Sequence, residues 1–397
     1  MNAKNLTLVL ALLVPVAAAR AQYRQQTDFG SIVTVNYMKS GDDPSPLWVN
    51  NGRGTFNANW SLFLAVDINE KLAFYAEATT WTSLDFVNYG LSGVYRIAGD
   101  GKLNLEFGRF LAPFGNFLNR RWASENPLNS WPLQYDYHTA LASTAMPVNA
   151  AELLAARGRG LVVAYDSERT GSGYRIFDRN AYPTGAQLFG QIEKLGYHFG
   201  VANGALSNQS QLNNSGSVQL LGRLTIEPAW GLLLGASFAS GVFLDQAALV
   251  SDSAPWSAKA DDYRQTALGV DLGYSVGHLE FFGEVMSNRW QTPFIADDLA
   301  TLSAQLELKY TLFTRFYVAG RFSLIRFSDI DDSLDFDSDG ELREAWDFDV
   351  DQLELGAGYR FNRNGFFKLI YTRNRTREIP AGDPSDDVLT AQTVISF

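Results

Sequence analysis

The chain has no cysteine among its 397 residues. This absence excludes disulfide bonds and thiolate metal sites. Histidine is also scarce, at three residues, which leaves few side chains for general acid–base chemistry near neutral pH. Beyond the N-terminus, no apolar run approaches the roughly 18 residues of a membrane-spanning helix. The formal net charge of −11 argues against a nucleic-acid partner.

The N-terminus has the pattern of a secretory signal peptide. Lys4 precedes an apolar segment, and a small-x-small cleavage pattern ends at Ala21. The apolar segment is too short to span a membrane comfortably as an anchor. We therefore expect residues 1–21 to be removed and residues 22–397 to form one domain.

Many segments alternate apolar and polar residues, which is the period of a β-strand. Leu302, Leu306 and Tyr310 share one face of such a segment, and Glu307 and Lys309 share the other. A packed core could not hold these ions unpaired, so the polar faces fit a watery lumen. The apolar faces are about 10 residues long and often end in aromatic rings, as lipid-facing strands do. The pattern predicts an all-β, transmembrane, antiparallel up-and-down barrel.

Short and long connections alternate along the chain, as in barrels that carry turns at one end and loops at the other. This rhythm predicts about 18 strands, with both termini at the periplasmic end. The least regular hairpins lie within residues 159–204, and loss of one pair there would give 16 strands. A barrel of this width leaves a channel, whereas about eight strands would fill it with side chains.

Charged residues at inward positions of the predicted strands are expected to line the lumen. The predicted lumen-facing residues are Glu77, Arg96, Glu106, Arg223, Arg321 and Arg360. Inward bases are matched by inward acids along the chain, so the lumen is expected to carry both signs of charge.

The third external connection, from about residue 110 to residue 158, is long for a structureless loop. In a wide barrel, we expect it to fold inward and narrow the pore. The residues predicted at this constriction are Arg109, Arg120, Arg121, Glu125, Asp136, Arg157 and Arg159. Opposed arginines and carboxylates would set a transverse field that selects ions. The alternative is that they are solvated loop residues or structural ion pairs.

An acidic stretch near the C-terminal third matches half of a calcium loop. Asp335, Asp337 and Asp339 occupy the first positions of the pattern D-x-D-x-D-G. Position 12 would be Trp346 instead of the usual bidentate glutamate. A structural calcium ion is one interpretation, and a solvated external loop that meets divalent ions and lipopolysaccharide is the other. No further cofactor is predicted.

Residues 108–115 read Gly-Arg-Phe-Leu-Ala-Pro-Phe-Gly, and Arg120, Arg121 and a Pro-Leu pair follow. Together with the terminal Phe397, this stretch resembles Gram-negative porins, in particular the superfamily that includes the phosphate-selective porins O and P. The resemblance implies a passive outer-membrane pore for small hydrophilic solutes, commonly a homotrimer in contact with lipid and lipopolysaccharide. It also implies a long loop in the lumen and an assembly signal at Phe397. Phosphate selectivity in that group depends on a ladder of basic residues, and the matched acids here depart from it.

Two other functions remain open at this stage. A plugged or narrow barrel would act as a receptor, adhesin or scaffold. A barrel hydrolase would need an activated nucleophile or water, usually with a positioned histidine. His138 beside Asp136 is the one suggestive pair, and no signature serine motif accompanies it. We therefore predict no enzymatic activity.

Overall fold

A computed structural model describes most of the chain beyond the N-terminus. The described residues are 26–43, 47, 52, 54–80, 86–142, 146–158, 173–178, 182–209, 216–249, 259–331, 340, 342–379 and 382–397. The predicted signal peptide, residues 1–21, lies outside them and stays a prediction. Within the described residues, no helix is long and apolar enough to cross a membrane.

Sixteen antiparallel strands close into one barrel. They are β1 (Thr27–Ser40), β2 (Gly54–Asp67), β3 (Leu72–Thr80), β4 (Phe86–Ala98), β5 (Leu103–Arg109), β6 (Thr184–Ile192), β7 (Leu195–Ala202), β8 (Gln219–Ala229), β9 (Leu232–Val242), β10 (Arg264–Val276), β11 (Leu279–Trp290), β12 (Leu299–Leu312), β13 (Phe316–Phe327), β16 (Val350–Arg360), β17 (Gly365–Thr376) and β18 (Val388–Ser396). Two short strands, β14 (Asp329–Asp331) and β15 (Arg343–Ala345), form a separate hairpin between β13 and β16. Short 3-10 turns occupy Gly99–Gly101, Leu118–Arg120, Gln246–Leu249 and Ala260–Asp262.

The prediction of about 18 barrel strands is wrong, and its alternative of 16 is confirmed. β5 pairs with β4 on one side and with β6 on the other. Both edges of β5 are therefore occupied, and none of the described residues between β5 and β6 forms a strand of the barrel. Residues 159–172, in the segment where the least regular hairpins are predicted, lie outside the described residues. β1 and β18 pair antiparallel, with Ile32 opposite Ser396, and this pairing closes the ring.

Side chains alternate across the wall as the sequence period requires. On β12, Leu306 is 53% exposed on the outside, whereas Glu307 beside it is 1% exposed on the inside. Large aromatic rings stand at the barrel end that carries the chain termini, among them Trp230 and Phe313 in tight turns. An apolar outer surface with aromatic rings at its edge is the surface of a transmembrane barrel.

The connection between β5 and β6, from Phe110 to Pro183, is here called the third loop. Its described residues contact inward-facing wall residues and so lie in the lumen, as predicted. The loop ends at Pro183 instead of the predicted boundary at residue 158. Its described residues include two short α-helices, α1 (Leu133–Asp136) and α2 (Ala150–Ala155). Asn149 caps α2, because its side chain accepts a hydrogen bond from the Glu152 amide.

Aromatic residues of the third loop form a hydrophobic core inside the barrel. Phe117 lies 5.2 Å from Tyr135 between ring centroids, and Tyr135 lies 5.2 Å from Phe177. Phe114 lies 5.8 Å from Phe177 and is buried with them. Burial of several rings stabilises a single packed conformation of the loop, at roughly 1.5–3 kcal/mol for each phenylalanine.

Candidate functional site

A ladder of four alternating charges joins the third loop to the barrel wall. Arg120 of the loop places Nη1 2.6 Å from Oε1 of Glu307 on β12. Arg321 on β13 places Nη1 3.1 Å from Glu307 Oε2 and Nε 2.6 Å from Oε2 of Glu354 on β16. Removing one member would leave a buried charge unpaired, which costs about 3–5 kcal/mol. The structure thus places Arg120 and Arg321 in ion pairs that anchor the loop.

The Pro-Phe-Gly turn of the third loop makes a second anchor. The Gly115 amide donates to Ser237 Oγ at 3.1 Å, and the Asn116 amide donates to Glu284 Oε2 at 3.3 Å. Gly115 has a φ of 63°, and a Cβ at this position would lie 2.3 Å from Glu284 Oε1. Glycine is therefore required for the close approach to the wall.

Two wall cations lie beneath the third loop. Arg223 on β8 forms a bidentate ion pair with Asp271 on β10. Its Nη1 and Nη2 atoms lie 2.5 and 2.9 Å from the two carboxylate oxygens. Lys368 on β17 donates to the carbonyl oxygens of Ala123 and Asn126 at 2.6 and 2.7 Å. Both side chains are almost fully buried, so their charges act on the loop and wall instead of on open solvent.

Two cavities lie along the lumen beside the third loop. The loop-side cavity, of about 300 Å³, reaches toward the end with the long connections, where Met38 and Val388 line it. The terminus-side cavity, of about 810 Å³, reaches the opposite end, where Phe29 and Phe397 line it. Five residues line both cavities and are here called the junction: Ile32, Glu77, Arg121, Trp122 and Tyr182.

The junction is held by a charge pair and aromatic rings. Arg121 Nη2 lies 3.1 Å from Oε2 of Glu77 on β3, and the Tyr182 hydroxyl donates to Glu77 Oε1 at 2.6 Å. The Arg121 guanidinium lies 4.5 Å from the Trp122 ring, which packs edge-on against Phe63 of β2. Burial lowers the pKa of Arg121, and Glu77 opposes this by raising it.

Three other predicted residues line the terminus-side cavity. Arg109 ends β5, and Glu125 lies in the third loop. Glu106 on β5 accepts hydrogen bonds from two neutral side chains, Ser92 at 2.6 Å and Gln187 at 2.7 Å. Burial raises the pKa of Glu125, although Arg121 and Arg120 lower it.

The remaining lumen-facing candidates lie near the terminal end of the barrel. Arg96 pairs with Asp67 at 2.8 Å, beside the turn between β2 and β3. Arg360 stacks over the Phe366 ring at 4.5 Å. The structure does not bring either residue into the junction.

The last constriction candidates lie toward the end with the long connections. Asp136 lines the loop-side cavity, and its Oδ1 lies 3.9 Å from Arg175 Nη2. Arg157 pairs with Glu344 of β15. Arg159 lies outside the described residues. The predicted set is thus spread along the third loop, and its role as a pore constriction stays a prediction.

Asp347 is a buried carboxylate that the sequence reasoning missed. It accepts hydrogen bonds from the amides of Ala140 at 2.7 Å and Gly158 at 2.9 Å, and so ties the third loop to the connection before β16. Burial raises the pKa of Asp347 to about 6, whereas the hydrogen bonds that it accepts from backbone amides lower it.

Asp335, Asp337 and Asp339 lie outside the described residues, so the calcium hypothesis stays a prediction. The strands that flank this segment, β14 and β15, form a hairpin instead of the helices of an EF-hand. Trp346, at position 12 of the motif, is buried and packs edge-on against Phe327 at 4.8 Å.

The terminal Phe397 completes the closure of the barrel. The Phe397 amide donates a hydrogen bond to the Ser31 carbonyl oxygen at 2.9 Å, and the Ser31 amide donates one to the Phe397 carbonyl oxygen at 2.6 Å. The ring is exposed on the barrel end. The assembly-signal role implied by the porin resemblance stays a prediction.

Neutral residues of the site escaped the sequence reasoning. Asn36, Asn57 and Gln392 line the loop-side cavity, and Trp122 and Tyr182 complete the junction. The only sequence signal of the three amides is their inward position on alternating strands, which every polar wall residue shares. A charged residue at an inward position stands out in the sequence because a buried charge needs a partner or water, whereas a neutral amide does not stand out.

Comparison with solved structures finds outer-membrane proteins of the same architecture. An anion-selective porin from Comamonas acidovorans superposes with a TM-score of 0.60 at 12% identity, over 94% of this chain and 100% of that chain. OmpF of Salmonella typhi, in complex with daunomycin, gives 0.57 at 10% identity, over 94% and 97%. The trimer form of OmpT, an outer membrane protein of Vibrio cholerae, gives 0.55 at 9% identity, over 94% and 100%.

No protein-family model matches the chain, and no curated protein matches it. At these identities, the likeness shows the fold: a closed, 16-stranded transmembrane barrel of the outer-membrane porin type. The finer resemblance to the phosphate-selective superfamily gains no support from these neighbours and stays a prediction.

Proposed function

We propose that the protein is a passive diffusion channel of the Gram-negative outer membrane for small hydrophilic solutes, with the third loop as its constriction. The observation that carries this proposal is the pair of cavities that share the junction. One cavity approaches the end with the long connections, and the other approaches the end with the termini. A passage through the junction would be bounded by a charge pair and amphipathic rings, which suits hydrated solutes.

The contacts of His138 and Asp136 are consistent with a passive channel that has no enzymatic activity. The His138 Nδ1 atom lies 2.9 Å from the Gly173 carbonyl oxygen in a buried position. The backbone carbonyl of Asp136 accepts a hydrogen bond from Arg175 at 3.3 Å. These contacts hold the third loop together, and neither residue needs a catalytic role to account for them.

The proposed partners follow from the surfaces of the barrel. The apolar outer wall would contact outer-membrane lipid, and the acidic connections at the long-loop end would meet lipopolysaccharide through divalent ions. A homotrimer is proposed on the porin resemblance, and one structural neighbour is itself described as a trimer form.

A second candidate, a plugged barrel that acts as a receptor, adhesin or scaffold, is favoured by the packing of the third loop. The loop fills the lumen beside β9 to β13 with a buried aromatic core that includes Phe114, Phe117 and Tyr135. Such a core would also suit a permanent plug.

Planar-bilayer recording separates these two functions. The purified wild-type protein should give discrete conductance steps. A variant with residues 118–131 replaced by a short Gly-Ser linker should give larger steps, because the linker removes Arg121 and Trp122 from the junction. The control variant lacks residues 210–215, in the connection between β7 and β8, and should conduct like wild type.

Folding of each variant is checked by its heat-dependent mobility on a gel. A folded wild type without current would contradict the channel and support the plugged barrel. Equal conductance in all three proteins would contradict the third loop as the constriction.

A further inference from the structure

The inner wall of the barrel is divided into a charged sector and a neutral sector. The charged sector lies on β10 to β13 and β16, and the third loop contacts its carboxylates Glu284, Glu307 and Glu354. The neutral sector is the part of β1, β2, β17 and β18 that lines the loop-side cavity, and Lys368 on β17 lies outside it. Its inward residues that line the loop-side cavity carry no charge: Ile32, Met38 and Val388 are apolar, and the others are amides and hydroxyls, among them Asn36, Asn57, Asn59, Asn374, Thr390 and Gln392.

Amides of the neutral sector form a hydrogen-bonded chain across three strands. Asn36 Nδ2 donates to Asn57 Oδ1 at 2.5 Å, and Gln392 Nε2 donates to Asn36 Oδ1 at 2.8 Å. Gln392 Nε2 also donates to Oδ1 of Asn129 in the third loop at 2.6 Å. Each amide carries two donor hydrogens and an acceptor oxygen, so the chain keeps unused capacity for a hydroxyl group of a solute.

The described lining of the loop-side cavity carries little free charge. Its charged residues are Glu77, Arg121 and Asp136. Glu77 and Arg121 pair with each other, and Asp136 lies 3.9 Å from Arg175. Opposite charges at such short distances cancel beyond a few ångströms, so the cavity offers no strong field to either sign of ion.

Aromatic rings complete the lining of the loop-side cavity. Trp122, Trp131, Tyr89 and Tyr182 all contribute to it. Rings of tryptophan and tyrosine present an apolar face together with a polar edge. Amides, hydroxyls and such rings together match a molecule with both hydroxyl groups and apolar C–H faces, and a charged solute gains nothing further from them.

We infer that the channel favours neutral polyhydroxylated solutes, of the size of mono- and disaccharides, over charged solutes of equal size. This inference rests on the proposed channel function and names its solute class. The third loop covers carboxylates of the charged sector, and the neutral sector is left to bound the loop-side cavity. Solute hydroxyls exchange hydrogen bonds with Asn57, Asn59 and Gln392 as the solute passes. The aromatic rings pack against the C–H faces of the solute.

Liposome swelling with three solutes of matched size tests the preference. The probes are glucose, gluconate and protonated glucosamine at pH 6, each against the same proteoliposomes. Glucose should enter about fivefold faster than either ion, which is the effect of roughly one net hydrogen bond in the passage. Equal rates for the three solutes, or faster entry of one ion, would overturn the inference.

The neutral sector is tested by paired variants on β2. The double variant Asn57→Leu with Asn59→Leu keeps side-chain size but removes the amides, and should abolish most of the advantage of glucose. The double variant Asn57→Asp with Asn59→Asp should favour protonated glucosamine over gluconate. The control variant Ala58→Leu changes the outer face of the same strand and should retain the wild-type ratio.

Bilayer current separates this inference from the channel function on which it rests. If folded wild type gives neither current nor swelling, the channel itself fails. If it gives current and the three swelling rates are equal, the channel stands and the neutral preference fails. If the leucine variant folds and keeps the full glucose advantage, the amides are not the selective surface.

Discussion

At the scale of single residues, ionic partners decide what each charge can do. The sequence pattern predicted that Arg120 and Arg121 lie in the lumen, but it could not predict their partners. Glu307 lies on β12, 187 positions after Arg120, whereas Glu77 lies on β3, 44 positions before Arg121. Alternation predicts the face of a residue, whereas the pairing depends on loop geometry that no local pattern encodes.

Arg121→Gln should shift the ion preference of the pore toward cations. The substitution removes the positive charge from the junction and leaves Glu77 without its ionic partner. Reversal potentials in a salt gradient measure the shift. The control is Arg157→Gln, since Arg157 pairs with Glu344 and lines neither cavity among the residues that the structure describes. An unchanged reversal potential in Arg121→Gln would contradict a role for the junction in ion passage.

At the scale of elements, the sequence predicted the start and the inward fold of the third loop but not its end. Its start after β5 and its inward fold were predicted from the Gly-Arg-Phe-x-x-Pro-Phe-Gly stretch and from its length. Its end was misplaced, because residues 159–183 were interpreted as a barrel hairpin. The pairing of β5 with β6 settles this point, and that pairing joins residues about 80 positions apart, such as Glu106 and Gln187.

Gly115→Ala should loosen the docking of the third loop. A left-handed backbone costs a residue with a Cβ about 1–2 kcal/mol, and the added atom would also lie 2.5 Å from the Tyr135 hydroxyl. We expect faster protease cleavage in the loop and noisier single-channel current. The control Gly99→Ala stands in a turn where a Cβ meets nothing within 4 Å, so it should behave like wild type. Identical cleavage of both variants would contradict the anchor.

At the scale of the whole molecule, closure determines the organisation of the lumen. The alternation of apolar and polar residues and of short and long connections predicted the barrel and the inward and outward faces of its strands. These patterns are local, because each outward residue meets lipid and each inward residue meets water or polar groups. The division into charged and neutral sectors was not predicted. It arises because one loop covers one side of a closed ring, and residues as distant as Asn36 and Gln392 then share the open side.

The most direct test of this organisation uses the absence of natural cysteine. Single cysteines are introduced at Asn57, in the neutral sector, and at Ser237, which accepts a hydrogen bond from Gly115 beneath the third loop. Each variant is recorded in a bilayer while a cationic methanethiosulfonate reagent is added. We predict a stepwise loss of current for Asn57→Cys and none for Ser237→Cys, because the passage runs along the neutral sector. Loss of current for Ser237→Cys with none for Asn57→Cys would contradict the account.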